Sequence, residues 1–146
     1  MGSWGTTAFQ SDAGLDFLGN MKKKSKVKDS IEKSLGGVIC FSSFCSETEA
    51  LAEIIANAYG KMKCDEKSVS KLEMSSAMKY VKNLEADKAY FENTLAKLHY
   101  ALNIINKFNG VVWKEELLEE RKLYIAELSN AIEEIIREIK EDGTDS

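Results

Sequence analysis

The stretch WKEELLEERKLYIAELSNAIEEIIREIKE, from Trp113 to Glu141, decides the fold class. Leu118, Arg121, Ile125, Leu128, Ile132, Ile135 and Ile139 alternate steps of three and four, which is a coiled-coil-like seam with one charged member, Arg121. At ~1.5 Å per residue this helix spans roughly 42 Å. Working backwards, Phe91, Leu95, Leu98, Leu102 and Ile105 also step by four and three. They define a preceding helix of roughly 35 Å, with Asn109-Gly110 expected to stop it and turn the chain. The two helices should pair as an antiparallel hairpin. Glu116, Glu119, Glu120, Glu127, Glu133 and Glu134 fall away from the seam and form an acidic ridge.

Composition agrees with a helical reading. The chain has 146 residues and no proline, where average usage of about 5% predicts several. Long uninterrupted helices are the simplest explanation. Hydrophobic residues make up 44% and charged residues 30%, as expected of one globular domain with an ordinary core. No apolar run approaches the ~18 residues needed to span a bilayer, and no secretory signal is visible. Three cysteines at irregular spacing fit reduced thiols better than a disulfide framework, so a cytoplasmic location is expected. The acidity is uneven. Residues 1–110 carry 15 lysines against 13 acidic residues, whereas residues 111–146 carry 5 basic against 11 acidic residues.

Toward the front of the chain, Ser46 and Glu49 form a capping box for a helix with Leu51, Ile54, Ile55, Ala58 and Met62 on one face. A turn at Cys64–Lys67 leads to a helix over 68–83 with Val69, Leu72, Ala77, Met78 and Val81 inward, and a break in phase is expected near Asn83–Asp87. Met21–Leu35 reads as a helix with Val27, Ile31 and Leu35 inward and its lysines solvated. Gly36-Gly37 should end it. Val38–Cys45 is β-prone and apolar, and is expected to be a buried extended connector.

The first residues, MGSWGTTAFQSDAGLDFL, read as a short arm whose Trp4 and Phe9 press onto the body, each able to bury on the order of 150–250 Å². Ser11 or Asp12 then caps a first helix carrying Leu15, Phe17 and Leu18. Trp4, Phe9 and Asp12 are the expected structural anchors. The run Met1-Gly2-x-Trp4-Gly5-x-x-x-Phe9-x-x-Asp12 resembles an uncharacterised bacterial domain-of-unknown-function family that opens Met-Gly-x-Trp-Gly-x-x-x-Phe-x-Asn-Asp, with Ser11 here in place of Asn. Ala50–Gly60, ALAEIIANAYG, is similar to that family's Ala-rich helix containing Glu. Together the two stretches cover about a quarter of the chain. The resemblance implies a small, mainly helical cytoplasmic protein with no established activity.

The expected architecture is therefore an all-α bundle of five to six helices, one domain over 1–146. Residues 1–11 form the anchoring arm and 143–146 a disordered tail. Catalytic patterns are missing. The single histidine, His99, sits beside the Leu98–Leu102 seam and reads as structural. Cys40, Cys45, Cys64 and His99 have no usual zinc spacing, and neither a Walker loop nor a dinucleotide glycine pattern is present. The lysines of 22–28 lack interleaved aromatics and are followed by Asp29 and Glu32, so no nucleic-acid partner is expected. The leading reading is a non-enzymatic, cofactor-free protein-binding module, of inhibitor or immunity type toward a bacterial effector, that meets a basic partner through its acidic ridge. The alternative is a metal-binding protein or metal-dependent hydrolase in which Asp12, Asp16, Glu49 and Glu53 converge on Mg or Mn. Spare apolar surface on the last two helices would instead favour a homo-oligomer.

Overall fold

The computed structural model describes residues 7–39, 46–112 and 115–144, with side chains described outside 36–39, 108–112 and 142–144. It is 86% helical, with six α-helices and no strand among the described residues. These are α1 (Asp12–Met21), α2 (Val27–Ile39), α3 (Ser46–Ala58), α4 (Lys71–Asn83), α5 (Lys88–Val112) and α6 (Glu115–Thr144). Short 3-10 turns precede α1 (Ala8–Gln10), precede α2 (Lys24–Lys26) and bridge α4 to α5 (Leu84–Ala86). No described helix is long and apolar enough to cross a membrane.

The seam of α6 is the one its spacing predicts. Arg121, Ile125, Leu128, Ile132 and Ile135 are buried, with Leu118 and Ile139 partly so. Tyr124 and Ala131 join them and broaden the stripe to that of a globular helix rather than a narrow coiled coil. Phe91, Leu95, Leu98, Leu102 and Ile105 of α5 are likewise buried, and α5 with α6 forms the most extensive helix pairing in the molecule.

The centre of the fold is α3, which packs against all five other helices. Every residue from Thr48 to Asn57 is buried. Ala50, Ala52 and Ala56 leave room for neighbours to approach on sides that a surface helix would give to solvent. A helix buried all round is apolar all round. Its four polar exceptions, Thr48, Glu49, Glu53 and Asn57, must therefore find partners inside the protein. Gly60 ends the segment at φ 71°, with the Lys61 N–H donating to Ala56 O at 2.8 Å and the Gly60 N–H to Asn57 O at 3.2 Å. That is a Schellman cap, and its left-handed residue suits glycine.

Several expected boundaries move. Helix α2 runs through Gly36-Gly37 to Ile39, so Val38 and Ile39 are helical rather than extended; 40–45 lie outside the described residues. Helix α5 continues through Asn109-Gly110 to Val112, and α6 passes Glu141 and Gly143 to end at Thr144. A glycine inside a helix costs only about 1 kcal/mol, too little by itself to stop one. Met21 closes α1 instead of opening the next helix, and the 3-10 turn at Lys24–Lys26 separates the two. Helix α4 begins at Lys71 behind a Ser70 cap, and Leu72 is 78% exposed while Met74 takes the inward place expected of it.

Candidate functional site

The site is built on the two faces of α6. Its inner face carries Arg121 and Tyr124, one turn apart, against Glu49 and Glu53, one turn apart on α3. Arg121 Nη1 and Nη2 donate to Glu49 Oε1 and Oε2, a bidentate pair with both side chains almost wholly inaccessible. The Tyr124 hydroxyl donates to Glu53 Oε1 at 2.7 Å and accepts the Ala8 N–H at 3.1 Å. Lys61, just past α3, donates to Glu134 at 3.1 Å and Glu138 at 2.6 Å. The partners rise together in number along both elements, so α3 and α6 run parallel.

Electrostatics separates the two buried carboxyls. Burial pushes Glu49 upward, and the Arg121 guanidinium opposes the shift by hydrogen bonding and by charge. Among the described residues, Glu53 has only a neutral hydroxyl against it. Burial raises its pKa to about 7, with the charges of Asp65, Glu127 and Glu49 adding to the shift and the Tyr124 bond working against it. Burial and the neighbouring Glu53 and Glu49 charges also drive Tyr124 well above the ordinary phenol range, so its hydroxyl keeps its proton. The neutral pair Glu49–Arg121 and the titratable pair Glu53–Tyr124 thus lie side by side at one helix interface.

The arm reaches this interface from the other end of the chain. Ala8 and Phe9 are completely buried on the 3-10 turn, as expected for Phe9. Ser11 caps α1: its Oγ accepts the Gly14 N–H at 3.1 Å and donates to Ala8 O at 2.6 Å. Asp12 stands exposed in the first turn of α1, so the anchoring expected of it falls to Ser11 and Phe9. Trp4 lies outside the described residues.

The four carboxylates expected to converge are not brought together. Asp12 and Asp16 are exposed on α1, whereas Glu49 and Glu53 are buried and turned toward α6. Ser46 is the first helical residue of α3, and Glu49, expected to pair with it in a capping box, turns both its oxygens to Arg121. Among the described residues, no three His, Cys, Asp or Glu side chains are placed to hold a metal ion. His99 is partly buried beside the α5 seam.

On the outer face of α6, all six ridge glutamates are exposed. Glu134 is taken up by Lys61, and Glu133 lies 3.8 Å from Arg137. Glu116, Glu119, Glu120 and Glu127 have no ion-pair partner among the described residues. Between them sits Leu123, 71% exposed, at helical offsets of three, four and seven from these glutamates. Sequence reading located the ridge but missed Leu123, Tyr124 and the burial of Glu49 and Glu53. The available signal was an Ala/Ile-rich helix, ALAEIIANA, with no polar face to offer its glutamates.

No protein-family model, no curated protein and no solved structure matches the chain.

Proposed function

We propose that the protein is a non-enzymatic binding module that docks a basic protein surface onto the outer face of α6, in the manner of a cytoplasmic inhibitor. The observation that carries this reading is Leu123, a large apolar side chain 71% exposed and set among Glu116, Glu119, Glu120 and Glu127. An apolar anchor inside a charged rim is the usual anatomy of a protein interface, and the acidic rim favours fast association with a cationic partner at low salt. Arg121 and Tyr124 support the presentation from beneath, because a buried ion pair and hydrogen bond hold α6 in one rotation about its axis. The resemblance of the opening residues adds a bacterial setting, where an immunity-type role toward an effector fits the same surface.

The test is affinity capture from the source lysate at low and at moderate salt, with the native chain and with a Leu123→Asp, Glu119→Lys, Glu120→Lys variant. A stoichiometric basic partner retained by the native chain, released by salt and lost by the variant is the expected result. A partner held equally well by both proteins overturns the reading. The metal-dependent alternative gains nothing from the geometry, since Glu49 is neutralised by Arg121 and Asp12 and Asp16 stand apart from Glu53.

A further inference from the structure

The described arm has one side-chain hydrogen bond reaching α6: the Ala8 N–H to the Tyr124 hydroxyl, which in turn donates to Glu53. Its 3-10 turn packs against α1 and α3, and Ala8 and Phe9 are fully buried there. We propose that this arm is a proton-controlled strap, closed over α3 and α6 while Glu53 is protonated and lifted when Glu53 ionises and draws water to its carboxylate.

The argument starts from what surrounds Glu53. On its own helix the nearest charge is Glu49, already neutralised by Arg121 of α6. From α6 come the neutral Tyr124 and the anionic Glu127, and from the segment after α3 come Asp65 and the Cys64 thiol, which itself feels Glu53. Among the described residues, no charged group of α1, α2, α4 or α5 acts on Glu53, and Thr7–Gln10 carries no titratable side chain. An ionised Glu53 therefore meets anions and one hydroxyl, while a carboxylate accepts about four hydrogen bonds. Desolvation outweighs the Tyr124 bond, and the group titrates near neutral pH, at about 7. Rehydrating the carboxylate requires that something covering it move. The arm is joined to that carboxyl through a single hydroxyl, and a three-residue 3-10 turn opens at lower free energy than helices packed along their length.

Linkage sets the size of the effect. If the lifted state restores an ordinary carboxyl, the open-to-closed ratio rises about thirtyfold between about pH 5.5 and pH 8. The experiment is hydrogen exchange of backbone amides by NMR across that range, expressed as protection factors so that intrinsic base catalysis cancels. Protection at Ala8 should fall about thirtyfold and stay well below that of Ile55 in α3, whose exchange needs global unfolding. Glu53→Gln should leave Ala8 protection flat with pH. Glu127→Gln, a surface change that leaves folding intact, should move the fall to lower pH by removing one of the charges that keeps Glu53 protonated. Ala8 protection that is flat in the native chain, that equals that of Ile55 at every pH, or that falls at unchanged pH in Glu127→Gln overturns the proposal.

Discussion

Arg121 and Glu49 meet as a two-pronged ion pair 72 positions apart in sequence, with side-chain exposures of only 5% and 1%. The pair ties the longest helix to the central one. Its worth is mainly in what happens when it is broken. Two desolvated charges that satisfy each other roughly balance the cost of burial, but one left alone does not.

Arg121→Ala should therefore lower stability by about 3–5 kcal/mol, because it leaves the Glu49 carboxyl buried and unpaired. Glu49→Leu combined with Arg121→Met should cost far less than either single change. Urea denaturation followed by circular dichroism measures both, and equal losses in the single and double variants would show that packing volume rather than charge is at stake.

The opening turn depends on a single missing methyl group. A Cβ on Gly14 would stand 2.0 Å from the backbone oxygen of Ala8, which cannot yield without moving the arm. Gly19, in the same helix, has nothing within 4 Å of its Cβ position. Gly14→Ala is expected to destabilise by about 2 kcal/mol or more through overpacking, and Gly19→Ala to stabilise by about 0.5–1 kcal/mol through helix propensity. Thermal melts of the two variants should move in opposite directions.

Stability should fall as pH rises through neutrality. Glu53 has a folded pKa of about 7 against 4.5 for the free group, so the folded state holds the extra proton between those values. Its contribution is fully present below pH 4.5 and is lost as pH rises through 7, to a total of about 3 kcal/mol. Urea midpoints measured at successive pH values should drop across this window in the native chain and stay level in Glu53→Gln. A midpoint that rises with pH would contradict the assignment.

Exposure divides the leucines of the two long helices. Leu123→Ser, on the outer face, should change stability by no more than about 0.5 kcal/mol. Leu98→Ala and Leu128→Ala, both completely buried, should each cost about 2–5 kcal/mol. If Leu123→Ser proved as costly as the buried changes, α6 would not present that face to solvent.

Local chemistry by itself determined much of this protein. The absence of proline, the three-four stepping of α5 and α6, the phase break before α5 and the oxygen-bearing cap before Gly14 were all readable, because each depends on residues within a turn or two of one another. The placement of Arg121 on a buried seam was readable for the same reason. Tertiary structure decided the rest. That α3 lies at the centre, that Glu49 and Glu53 are buried, and that each meets its partner on α6 follow from contacts 71 and 72 positions apart, which no local period encodes. Helices α2 and α5 also continue through Gly36-Gly37 and Asn109-Gly110, and packing turned Leu72 outward while Met74 turned in. A glycine inside a helix costs only about 1 kcal/mol, and burying Met74 is worth more than any local preference for Leu72.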